Sequence, residues 1–127
     1  MNHNLLVNFY SEISSTFSEE NCSTFNCIIQ LNAEHEFYKG HFEQVPISPG
    51  VCLIQIIKEI IMYKFQKNLM LVEGKNIKFL SLINPKENSQ FQIDFTVNQT
   101  DSTFDVSANY SNNGKVYSKL KLTHKIL

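Results

Sequence analysis

An antiparallel sheet curved around one long helix, an α+β arrangement, is the fold that the hydrophobic pattern of these 127 residues calls for. From Gly50 to about Gln66 the apolar residues Val51, Leu53, Ile54, Ile56, Ile57, Ile60, Ile61 and Phe65 go almost all the way round a helix. A helix apolar on most sides has to be wrapped by other structure. Everything after it reads as strand, apolar and polar residues alternating through long runs. A sheet that bends round the helix satisfies both patterns.

The elements follow in chain order. Phe9, Ser11, Ile13, Ser15 and Phe17 alternate with Tyr10, Glu12, Ser14 and Thr16, a first strand, although Leu5, Phe9, Ile13 and Phe17 would also line one helical face. After a turn at Glu19–Asn21, Phe25, Cys27, Ile29 and Leu31 alternate through a second strand. Residues 33–49, rich in Gly, His and Pro, are expected to contain no regular helix, since each proline biases its predecessor to an extended conformation. In the helix that follows, Gln55, Glu59, Met62 and Gln66 share one narrow stripe and Lys58 flanks it. Its many isoleucines are modest helix formers, so packing must hold it.

A strand is expected over Lys75–Ile83, broken at Asn84–Pro85. Phe91, Ile93, Phe95 and Val97 mark the next, and Phe104, Val106, Ala108 and Tyr110 the one after the Thr100–Ser102 turn. Asn112-Asn113-Gly114 signals a tight hairpin. The last strand should place Val116, Leu120, Leu122 and Ile126 on one face, with Lys115, Tyr117, Lys119, Lys121 and Lys125 on the other. No repeat, linker or low-complexity tract divides the chain, so residues 1–127 are expected to form a single domain.

Composition narrows the function. The net charge is −1 and all 11 basic residues are lysine. Without arginine there is no planar fork for bidentate phosphate or guanine contacts, which argues against nucleic acid as a partner. Cys22, Cys27 and Cys52 fit neither a CxxC nor a zinc spacing, so reduced thiols and a cytoplasmic location are expected, with no metal and no cofactor. The N-terminus has no signal-peptide pattern. The apolar run Val51–Phe65 is too short and too interrupted to span a bilayer, and a soluble protein follows.

The stretch GHFEQVPISPGV, residues 40–51, resembles the signature G-H-F-P-x-x-P-x-x-P-G-V of the hotdog-fold 3-hydroxyacyl-ACP dehydratase family. The preceding LNAEHEFYK and the later NIKFLSLINPKENSQFQI resemble that family's flanking strands, so the likeness covers most of residues 24–124. It implies a hotdog fold, dimerised so that two sheets join edge to edge. It implies an acyl thioester on acyl carrier protein or CoA as substrate, in fatty-acid, lipid or polyene-type biosynthesis. A homodimer, or an oligomer of dimers, is the expected assembly.

By the same resemblance His41 is the base that takes the α-proton, Phe42 lies in the substrate site, and an amide at Gly50 or Val51 polarises the thioester carbonyl. The chemistry is coherent, because elimination of water needs a base, an acid for the leaving hydroxyl and donors for an enolate-like oxygen. The chain departs from the family at two places. Glu43 replaces the proline after His-Phe, and Gln55 stands where the family carries the helical Glu or Asp. An amide binds a hydroxyl or orients a water but is no general acid. One turn later, where many members have glutamine, this chain has Glu59, so the two residue types are exchanged along one face.

Each site residue has a plainer reading beside the sharp one. His41 could be a loop histidine hydrogen-bonded for structure, and Gln55 a satisfied buried amide. A solvated or interface carboxylate is favoured for Glu59 over a replacement acid. His3, His35 and His124 are expected to be structural or exposed, Cys52 to be core, and the lysine row to be a solvated face or a dock for an acidic carrier. Alongside dehydration stand two alternatives: thioester hydrolysis on the same fold, and a non-catalytic acyl-binding or partner subunit whose acid has been lost.

Overall fold

The computed structural model describes residues 8–17, 24–39 and 47–127, with strands β1 (Tyr10–Phe17), β2 (Thr24–Leu31), β3 (Leu69–Phe79), β4 (Gln90–Gln99), β5 (Thr103–Asn112) and β6 (Lys115–Ile126), and helices α1 (Glu36–Lys39) and α2 (Gly50–Phe65). Among these residues the strands make one antiparallel sheet in the order β1-β2-β4-β5-β6-β3. The core lies between this sheet and α2. Ile56, Ile57, Ile60 and Ile61 of the helix share one buried cluster with Cys27, Ile29, Phe91, Ile93, Phe95, Val106, Ala108 and Leu120 of the sheet. Each buried Ile contributes about 1.5–3 kcal/mol, enough to override the modest helix propensity of the run. This is the hotdog arrangement, with the long helix as the filling.

Where alternation is unbroken the strands stand as expected. In β4 and β5 every second residue is buried from Phe91 to Val97 and from Phe104 to Tyr110. The hairpin joining β5 to β6 has φ of 49° at Asn113 and 81° at Gly114. Two successive positive φ values are what a two-residue type I′ turn requires, and Gly supplies the second without steric cost.

Several expectations need correction. The first segment is a strand, as expected, but its register shifts between Glu12 and Ser14, and Ile13 is exposed. Residues 36–39 do form one helical turn, because Phe9 stacks on Tyr38 and meets His35 edge-on, fixing the chain just after β2. β3 begins at Leu69 and ends at Phe79, earlier at both ends than the sequence suggested. Register shifts at Leu71/Glu73 and Gly74/Asn76 break its alternation, and Leu80 and Ser81 leave the ladder by donating together to the Tyr117 carbonyl. A further shift at Tyr110/Ser111 moves Tyr117 from the lysine face to the core edge, where its ring meets Phe91 at 5.1 Å.

Lys115, Lys119, Lys121 and Lys125 are exposed as expected, and His124 is buried. Cys27 and Cys52 are free and buried; burial pushes both thiols up, Cys27 to about 12, so neither is a reactive thiolate. No helix among the described residues is long and apolar enough to cross a membrane.

Candidate active site

The Pro-Gly step sets the start of α2. Pro49 is extended, with φ −64° and ψ 147°, and offers no side-chain cap. Cys52 and Leu53 both donate to its carbonyl, at 3.0 and 3.2 Å, so the helical ladder begins with them. The amides of Gly50 and Val51 therefore belong to the unsatisfied first turn, at the positive end of the helix dipole. The side chain of Phe79, the last residue of β3, lies against this turn. A Cβ added at Gly50 would sit 2.4 Å from the tip of that ring, so any larger residue there would push the exposed Phe79 side chain aside.

One turn on, Gln55 is half-buried and donates through Nε2 to Glu59 Oε2 at 3.1 Å. Glu59 is 2% exposed, which overturns the expectation of a solvated carboxylate. A carboxylate at that depth needs compensating donors. A second one comes from β1, where the Tyr10 hydroxyl reaches Glu59 Oε1 at 3.1 Å. Burial first, then the neighbouring Glu59 charge, pushes the Tyr10 phenol well above its ordinary range, so it stays a donor. Lys64, further along α2, pairs with Glu12 of the same strand at 3.6 Å. Tyr10 carried no signal in the sequence. Alternation placed it on the outer face, and its partner is 49 residues away.

His41 and Phe42 lie outside the described residues, as do Glu43 and His3. The chain on either side of them is anchored. Tyr38 Oη and Ser48 Oγ are 2.8 Å apart and buried, and the Ser48 amide donates to the Ile83 carbonyl at 2.8 Å. The structure thus gathers Gly50, Val51, Gln55 and Glu59 along one helix. An open groove of about 820 Å³ runs between the start of β1, the end of β2 and the 85–89 turn, with Tyr10 in its wall. Polar residues in its wall already bond within the protein, Gln30 to Ser89 and Asn32 to the Asn8 carbonyl. Among the described residues no group of three or more His, Cys, Asp or Glu could hold a metal ion.

Comparison with known proteins agrees with the fold and narrows the family. The model of the ApeI-like family, described as ApeI dehydratase, matches residues 16–121. A comparison with curated proteins finds no match. Among solved structures, the dehydratase heterocomplex ApeI:P from Xenorhabdus doucetiae superposes with TM-score 0.70 at 14% identity, covering 91% of this chain and 96% of that one. An uncharacterized protein from Erwinia carotovora subsp. atroseptica gives 0.68 at 15% identity, with 93% and 95% covered. A hypothetical thioesterase with coenzyme A from Streptococcus pneumoniae gives 0.66 at 11%, with 98% and 91% covered. At such identities these structures show a shared fold.

Proposed function

The chain belongs to the ApeI-like dehydratase family, and from that premise we propose that it acts on 3-hydroxyacyl thioesters, removing water to give the 2-enoyl thioester. The observation that carries this reading is the family match itself, which runs through the His-Phe and Pro-Gly motif and the whole of α2. In the proposed reaction an amide of Gly50 or Val51 hydrogen-bonds the thioester oxygen, and the helix dipole stabilises the charge that develops there. His41, neutral, removes the α-proton. Gln55 holds the 3-hydroxyl, and Phe42 lines the site. No carboxylic acid stands at position 55, so the proton reaching the leaving hydroxyl comes from water or from His41 once it is protonated. General acid catalysis is typically worth about 10²–10⁴-fold, and turnover should be correspondingly slow.

The acyl group would be carried on acyl carrier protein or CoA, in fatty-acid, lipid or polyene-type synthesis. Two buried free thiols fit a reducing, cytoplasmic setting. A second reading, a non-catalytic partner subunit, is favoured by one observation: Gln55 already donates to a buried carboxylate. The Xenorhabdus neighbour, a dehydratase heterocomplex, offers a precedent for paired chains.

Turnover of 3-hydroxybutyryl and crotonyl thioesters, followed alongside release of free thiol, separates the readings. Interconversion of the two without thiol release, lost in a folded His41→Ala variant, is the expected result. Thiol release would make the protein a thioesterase. Neither reaction, with the thioester still bound, would make it the partner subunit.

A further inference from the structure

Glu59 is buried one turn beyond Gln55, and its two oxygens face different donors: Tyr10 Oη at Oε1 and Gln55 Nε2 at Oε2. A carboxylate accepts hydrogen bonds and offers none. The amide at position 55 must therefore turn its nitrogen toward residue 59. In a planar amide the oxygen and nitrogen project from opposite sides of one carbon, so Oε1 of Gln55 is left on the side away from Glu59. An unconstrained glutamine presents either end to a ligand with equal ease. This one does not, because reversal would set an amide oxygen against a buried carboxylate.

We infer that Glu59 is a positioning residue that locks the Gln55 amide with its carbonyl oxygen toward the substrate, so that the site selects a 3-hydroxyacyl thioester over its 3-oxoacyl counterpart. This rests on the proposed contact between Gln55 and the substrate 3-hydroxyl. A 3-hydroxyl turns its hydrogen to Oε1 and keeps its lone pairs free for the proton that must arrive before water departs. A 3-oxo group has lone pairs alone, and against Oε1 it meets acceptor with acceptor. The exchange of Gln and Glu along the helix then has a physical content. The acid is lost at 55, and the carboxylate at 59 sets the polarity of the amide that replaces it. Tyr10 completes the lock by holding the other carboxylate oxygen.

Binding rather than turnover tests it, with non-cleavable dethia analogues of 3-hydroxybutyryl-CoA and 3-oxobutyryl-CoA titrated into the full chain by calorimetry. The parent should prefer the hydroxy analogue by about tenfold, the value of one hydrogen bond made against one refused. The double variant Tyr10→Phe/Glu59→Met removes the buried carboxylate together with the Tyr10 hydroxyl that bonds it, so neither is left without the other in the core, and the half-buried Gln55 amide is released. Its preference should fall to about twofold or less as the amide becomes free to turn. Tyr110→Phe, which removes a buried hydrogen bond between β5 and the Leu53 carbonyl of α2, is the control for general loosening and should keep the parent's ratio. Should the double variant fail to fold, Glu59→Gln removes the charge at nearly constant shape and should lower the ratio likewise. An unchanged ratio in a folded Glu59 variant, or no preference in the parent, overturns the inference while leaving the dehydratase reading standing. A parent that binds neither analogue overturns the thioester reading itself, and the inference with it.

Discussion

His124 shows how much of a residue's behaviour is set by strands distant in sequence. It lies on the inner face of β6, opposite Phe104 of β5 and Leu71 of β3, and is 0% exposed. Neither ring nitrogen meets a hydrogen-bond partner among the described residues. Burial first, and then the Lys58 charge on α2, lowers its pKa to about 4. The unfolded chain titrates this group near its ordinary value of about 6.5, so between the two values the unfolded state binds more protons. The native state therefore keeps its full stability above about pH 6.5 and loses it as the pH falls toward 4. At pH 4.5 the loss from this residue is about 2.5 kcal/mol. Urea unfolding at pH 7 and pH 4.5 checks this, since His124→Leu should lose less stability between the two than the parent, by about that amount. Equal losses in both would mean that His124 is not the acid-sensitive group. The sequence left His124 as structural or exposed on the last strand. Alternation put residue 124 on the face of Leu120, Leu122 and Ile126, but a histidine there reads equally as structural or exposed, and the pairing of β6 between β5 and β3 is what buries it. The same holds at the site, where the Gln55 and Glu59 exchange was legible by residue type while the depth of Glu59 depended on Tyr10, on the far edge of the sheet.

Elements were legible wherever one period ran unbroken. α2 declared itself by apolar residues on nearly every side, and β4 and β5 by strict alternation. β3 did not, because its register shifts insert extra residues and scramble the period at Leu71/Glu73 and Gly74/Asn76. The turn at α1 was hidden for another reason: it is held by Phe9 stacking on Tyr38, a contact between segments that no local pattern reports. Helix and sheet are also tied by a bond that periodicity does not show. Tyr110 of β5 donates through its hydroxyl to the Leu53 carbonyl at 2.6 Å, fully buried. The bond anchors the turn of α2 that precedes Gln55 to the middle of the sheet. Tyr110→Phe leaves the ring packing in place and removes only the bond, so it should cost about 1–1.5 kcal/mol. In a urea titration the midpoint should fall while the slope stays constant, because the surface exposed on unfolding is unchanged. A midpoint equal to the parent's would mean that the bond adds nothing beyond packing.

At the scale of the whole molecule the sheet has two open edges, β1 and β3. They differ in kind. β1 is short and largely polar, as an edge exposed to water usually is. β3 runs for 11 residues and is exposed from Met70 onward, with Val72, Ile77 and Phe79 among its open apolar side chains and Leu80 open directly after it. Val51 and Tyr63 of α2, and Leu82 just past β3, are open as well, so an apolar surface extends from the sheet edge to the helix. Contiguous surfaces of this sort on soluble proteins mark contacts with other chains, and a free strand edge is a template for pairing. We propose that β3 pairs with β3 of a second copy, a two-fold contact in which each chain offers the same edge to the other. The proposed site lies at the helix end beside Phe79, so the second copy would also close it. Light scattering at micromolar concentration should give about twice the chain mass of 14.7 kDa. Val72 and Leu80 are 51% and 53% exposed, so charging both should disturb the isolated chain by little more than about 0.5 kcal/mol each. The Val72→Lys/Leu80→Lys variant is therefore expected to scatter as a folded monomer and to lose turnover with the pairing. A parent that is monomeric at the same concentration would remove the two-chain site, and a variant that stays dimeric would place the contact on another face.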